Sequence, residues 1–155
     1  MEQRKRSLVA LRWIGAILAG VGVLPMSTAA AEPADALSGA LLAARTDAPC
    51  AQLAIDSHAM TAAEVIGRSN DNYIRFEARD VPIADPLPLL RELGFGGAKS
   101  YVLQGSYPTL EGAVRGAVLQ GFAAIPDCGF TAFGASTLFN TIRSEYITTV
   151  VLVGA

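Results

Sequence analysis

The sequence predicts an α/β fold, a three-layer α/β/α sandwich around a small, mainly antiparallel sheet. Three observations predict it. The segment from Glu145 to Val153 is apolar on both parities, Ile147, Val151 and Val153 on one side and Val150 and Leu152 on the other. A strand apolar on both faces is buried on both faces. Segments with helical spacing come before it, separated by Pro- and Gly-containing breaks, so helices are available to cover the sheet from two sides. The last two strand-like segments, Gly129–Phe139 and Glu145–Val153, are joined by a short turn over Asn140–Ser144, which implies antiparallel pairing.

The elements follow in chain order. Residues 1–31 read as a signal peptide. Arg4, Lys5, Arg6 and Arg12 precede an uncharged apolar run from Trp13 to Leu24, and small residues from Ser27 to Ala31 end in Ala29-Ala30-Ala31. A basic start, a short apolar centre and an A-x-A site are the three parts of a secretory leader. Cleavage falls before Glu32, or one residue earlier. The apolar run is twelve residues long, whereas a membrane-spanning helix needs about 20; a retained anchor is the alternative. The domain is then 32–155, one domain of ordinary size.

Glu32–Ala36 is a short lead-in. Leu37, Ala40, Leu41 and Ala44 follow helical spacing, and Thr46-Asp-Ala-Pro49 ends that helix. Gln52–Ile55 is a short extended connection. A second helix begins near Thr61, where Thr61 and Glu64 form a capping box, and a break is expected at Asn70-Asp71-Asn72 because these residues form helix poorly. Pro82, Pro86 and Pro88 mark an irregular crossing. Leu89, Leu90 and Leu93 predict one or two helical turns stopped by Gly94. Lys99–Gln104 reads as a strand. Thr109 is the expected N-cap of a helix with Leu110, Ala113, Val114, Ala117, Val118 and Phe122 on its apolar side, and Glu111 and Arg115 as an i, i+4 pair.

Residues 32–155 hold eight basic and thirteen acidic residues, a net charge of −5. That balance argues against nucleic acid and against anionic membrane surfaces. The two cysteines, Cys50 and Cys128, read as one disulfide in an exported chain. A reactive thiol is the alternative, but neither lies in a C-x-x-C or beside a histidine.

Few residues point to chemistry. His58 is the only histidine. With Met60 it could ligate a metal or haem, but a spacing of two does not bring both side chains to one helix face, so it reads as a hydrogen-bonded residue at a helix start. No serine sits in G-x-S-x-G, and Ser57 beside His58 is adjacency only. Glu64, Glu77, Asp80, Glu111, Asp127 and Glu145 show no paired-carboxylate signature; Asp127 reads as fixing the turn that presents the disulfide. Gly94-Phe-Gly-Gly97 lacks the lysine of a phosphate loop. No catalytic, cofactor-binding or metal-binding residue is predicted.

Longer stretches carry a resemblance. Leu110-Glu-Gly-Ala-Val-Arg-Gly-Ala-Val-Leu-Gln-Gly121, Ile125-Pro-Asp-Cys-Gly-Phe-Thr-Ala-Phe-Gly134 and Val150-Val-Leu-Val-Gly154 resemble the CAP (SCP-like) superfamily of cysteine-rich secretory, antigen 5 and pathogenesis-related proteins. Ala43-Ala-Arg45, Leu53 and Thr61-Ala-Ala63 resemble that family's opening. The similarity spans nearly all of 32–155, is built from common residues in the right order, and lies nearest to short actinobacterial forms. It implies an α/β/α sandwich and an extracellular or envelope location. Familiar members carry a cleft with two His and two Glu, some holding a divalent metal. In this chain Phe76 stands at the first histidine, Gly121 at the second, and Val102-Leu-Gln-Gly105 at a strand that usually supplies a glutamate; Glu111 alone remains near the other. One carboxylate does not make a zinc site.

The expected function is that of a secreted or envelope-located, non-catalytic binding domain. Its expected partner is a lipid or other apolar small molecule, or an envelope or host protein, with no nucleic acid, no cofactor, and no membrane span once the leader is removed. A secreted hydrolase with a noncanonical site is the alternative.

Overall fold

A computed structural model describes residues 32–155; the leader and its cleavage site lie outside the described residues. The chain forms α1 (Pro33–Arg45), β1 (Ala54–Ile55), α2 (Ser57–Ile74), α3 (Leu87–Glu92), β2 (Lys99–Tyr107), α4 (Leu110–Gln120), β3 (Ala132–Asn140) and β4 (Glu145–Gly154). The sheet order is β1-β3-β4-β2. β4 pairs antiparallel with both β2 and β3, and the two-residue β1 pairs parallel with β3.

The two-sided pattern of β4 is realised. Val150 and Leu152 pack with Leu37 and Leu41 of α1, Ala117 of α4, Leu103 and Phe133. Val151 and Val153 pack with Ala59, Ala62, Ala63 and Ile66 of α2 and Leu90 of α3. The layers are therefore α1 with α4, the sheet, and α2 with α3. Every residue from Ile147 to Gly154 is buried.

The ends of several elements differ from the sequence reading. α1 starts at Pro33, not near Leu37, because proline at the first helical position loses no needed donor. α2 starts four residues before Thr61. Asp56 is its N-cap, its carboxylate accepting from Ala59 N–H at 2.8 Å. Thr61 lies inside the helix and donates to the Ser57 carbonyl. The same helix runs unbroken through Asn70-Asp71-Asn72. Asp71 there accepts from Arg75 one turn on and from Asn140 of β3, both at 2.7 Å; the local pair and the long-range bond together outweigh a weak local propensity.

α2 ends at a Schellman motif. Phe76 N–H donates to Tyr73, Glu77 N–H to Asn72, and Phe76 takes the left-handed position at φ 59° that glycine usually occupies. α3 stops as expected, with Gly94 at φ 94°. α4 has Thr109 as its N-cap but ends at Gln120. Phe122 falls past the helix and is 83% exposed, and Ile125 fills the core instead. The expected Glu111–Arg115 pair is not among the ion pairs of the described residues. The close seat of α2 on the sheet is made at Gly134, where a side chain would overlap the backbone of Ala59 and Met60.

Candidate functional site

The site is set by where α2 and β2 diverge. α2 lies over β3 and β4, and its last turns reach past β4 towards β2, the outer strand on that side. Asn70, Tyr73 and Ile74 come from α2, Gln104, Gly105 and Ser106 from β2, Ile147 from β4 and Pro82 from the following loop. They line a cleft of about 300 Å³, at the small end of the range for ligand pockets.

The chemistry of this lining is specific in one respect: none of the eight residues carries a formal charge at neutral pH. Ile74, Pro82 and Ile147 supply apolar wall. Asn70 is only 9% exposed, and its amide makes no hydrogen bond to another described residue. The amide opens into the cleft, where solvent or a bound ligand can hydrogen-bond to it. Gln104 offers a second uncharged amide at the same cleft.

The residues weighed from sequence fall apart in space. His58 sits in the first turn of α2, as expected, but its side chain makes no hydrogen bond to another described residue. Its Nδ1 is buried without a partner, 3.6 Å from an Asp56 oxygen. Its ring faces Phe95 just after α3. Met60 points elsewhere and accepts from Ala135 N–H of β3 at 3.2 Å, so the two do not converge. Phe76, at the place of the family's first histidine, is 89% exposed. Gly121 is buried against Leu103 and Ile125. Gln104 does reach the cleft. Among the described residues no three His, Cys, Asp or Glu side chains are grouped to hold a metal ion.

Cys50 and Cys128 are bonded, with Cα atoms 5.4 Å apart. The region around them contains the residue that sequence reasoning missed. Arg45 ends α1 on the same stripe as Leu37 and Leu41 and is 2% exposed. Its guanidinium donates to the carbonyls of Ile125 (2.5 Å), Asp127 (3.0 Å) and Phe130 (2.9 Å), and its Nε to Ala51 (3.3 Å). One sequence signal pointed to it, the i, i+4, i+8 spacing from Leu37. Asp127 fixes the disulfide turn as expected, accepting from Gly129 N–H at 2.7 Å and from Lys99 Nζ at 2.6 Å. The Lys99 bond first, and the Gly129 bond second, hold its carboxyl below the usual range. Lys99 Nζ also lies 4.4 Å from the centre of the Phe130 ring.

Among the described residues no helix is long and apolar enough to cross a membrane. No family model and no curated protein matches the sequence. Among solved structures the chain is similar to an outer surface protein from Borrelia burgdorferi, with a TM-score of 0.60, 12% identity, and coverage of 79% of this chain and 92% of that one. At that identity the likeness shows a shared fold, a small α/β domain with a mixed four-stranded sheet.

Proposed function

We propose that residues 32–155 form a secreted, CAP-like domain that acts by binding, and that it takes an uncharged, largely apolar small molecule in the cleft between α2 and β2. The observation that carries this reading is the unpartnered Asn70 amide in a lining without a charged side chain. A cleft of this kind favours an apolar body with one neutral polar end, because a charged end would lose its hydration with no counter-charge to replace it. The leader pattern of residues 1–31 and the Cys50–Cys128 bond support export, since disulfides persist in oxidising compartments. The order of elements and the two-sided β4 are consistent with the CAP resemblance. By that resemblance Phe76 stands where the family would carry a histidine, and Val102–Gly105 at the strand that would supply a glutamate.

The test is a matched pair of probes, 1-octanol and octanoate at pH 7, titrated into isotope-labelled protein. Octanol is expected to saturate and to shift the Asn70 side-chain amide signals. Octanoate is expected to bind at least about tenfold more weakly. Asn70→Leu should weaken octanol about fivefold, the worth of one hydrogen bond. Equal binding of the two probes, or an Asn70 signal that does not move, overturns the reading.

A further inference from the structure

Among the described residues β2 is an outer strand, hydrogen-bonded as a strand only to β4. In an antiparallel strand the N–H and C=O of one residue point to the same side, and successive residues alternate. Gln104 N–H is received by the side-chain carbonyl of Gln120 at the end of α4, not by β4. Gln104 therefore faces outward, and Ser100 and Val102, of the same parity, do too. The opposite strand agrees. Val153, across from Ser100, gives its carbonyl to Thr131, which leads into β3, on the far side.

This open edge does not face bulk solvent directly. It forms one wall of a slot of about 390 Å³ lined by Ala84, Asp85, Pro86, Ser100, Tyr101, Val102, Gln104 and Gln120. Ala84–Pro86 lead into α3, in the layer on one face of the sheet, while Gln120 ends α4 in the layer on the other. The edge is thus flanked from both layers, which leaves room for a single extended chain and obstructs the broad edge of a second sheet. The strap over residues 79–86 runs beside β2 without a backbone hydrogen bond to it. It cannot close the slot as a strand of its own without lost donors, because Pro82 and Pro86 share one parity and neither has an N–H. Nor is the edge guarded by charge. Of Lys99–Tyr107 only Lys99 is charged, and it is tied to Asp127. Natural proteins usually protect a free edge with charges, proline or a cover.

We propose that the outer edge of β2 and the strap over residues 79–86 form a docking slot for an extended, basic peptide segment of a partner protein, added as a fifth strand. Unpaired main-chain donors and acceptors specify an extended backbone. The basic character follows from charge. Asp85 is the one carboxylate of the slot, its Oδ1 occupied by Leu87 N–H and its other oxygen without a cation, and residues 32–155 carry a net charge of −5. The Gln120 carbonyl occupies the position that a carbonyl of the incoming strand would take on Gln104. The slot and its strap share Gln104 and Pro82 with the small-molecule cleft, and the proposal does not depend on that reading.

The test uses a capped hexapeptide, Ac-Thr-Val-Thr-Val-Thr-Lys-NH2, titrated into the isotope-labelled protein. Saturable binding with a dissociation constant of about 1 mM or tighter is expected, with the largest backbone shifts at Ser100 and Val102. Ser100→Pro removes an outward donor outside the β2–β4 ladder and should weaken binding about fivefold. Gln120→Ala frees the Gln104 N–H and should strengthen binding about threefold, a gain that misfolding cannot imitate. A terminal Glu in place of the peptide's Lys should weaken it about threefold. No movement at Ser100 and Val102 up to about 5 mM peptide, or movement indifferent to both substitutions, overturns the proposal. Shifts there that follow the protein's own concentration would instead assign the edge to a second copy and equally overturn it.

Discussion

Replacing Arg45 by Met tests whether a single buried side chain holds α1 to the disulfide region. The guanidinium makes four bonds to main-chain carbonyls; those to Ile125 and Phe130 are buried, and those to Asp127 and Ala51 are partly open. Hydrogen bonds to a charged group contribute about 1.5–3 kcal/mol each, and a buried carbonyl left alone costs about 1–3 kcal/mol. The two partly open carbonyls can take up water, and the Met side chain keeps most of the buried apolar stem. The net loss is then set by Ile125 and Phe130, about 3–4 kcal/mol, out of the 5–15 kcal/mol typical of a domain. Arg45→Lys keeps the charge but not the planar fork that reaches several carbonyls at once, and should cost about 2 kcal/mol. The assay is equilibrium urea unfolding of oxidised protein spanning residues 32–155, followed by far-ultraviolet circular dichroism because the one tryptophan, Trp13, precedes residue 32. For a domain of this size a 3 kcal/mol loss lowers the midpoint by about 2 M. A loss under about 1 kcal/mol, equal for Met and Lys, would refute the reasoning, since it would mean that the carbonyls find water when the guanidinium leaves.

Two further outcomes follow from the same region. Replacing both Cys50 and Cys128 by Ser should cost about 4 kcal/mol through the entropy of the long loop they close; an unchanged urea midpoint would show that Arg45 and the core alone hold the segment. Asp127 links stability to pH. Its folded value is lowered, so its contribution is present above the unfolded carboxylate value and is lost as the pH falls through the folded one, below about pH 4. Asp127→Asn should remove that part of the acid sensitivity, and acid unfolding curves that superimpose with the parent would contradict the assignment.

The layering was legible because it depends on pattern alone. The two apolar parities of β4, the stripe Leu37–Leu41 and the run Ala113–Ala117 are periodicities that any packing must satisfy. The caps at Thr109 and Gly94 were legible for the same reason, as local hydrogen-bond chemistry. Thr61 shows the limit of that reasoning. Thr61 and Glu64 form a valid capping signature, but Asp56 is an equally good cap, and starting there seats Ala59 over Gly134. The candidate cleft was less legible still. Asn70 reads as a helix breaker in sequence, and the fold keeps α2 helical through it, with Asp71 bound to Asn140 and Arg75, so that Asn70 and Gln104 line one cleft.

The sequence by itself determined a buried two-sided strand, helices to cover it and one pair of cysteines, because composition, period and spacing are properties of neighbours along the chain. The tertiary structure alone decided that Arg45 is buried, that an uncharged cleft opens between α2 and β2, and that, among the described residues, no strand pairs with the outer edge of β2. Each of these depends on which distant backbone groups meet. A carbonyl at position 125 or an amide at position 102 looks like every other in the sequence until the fold determines whether it has a partner.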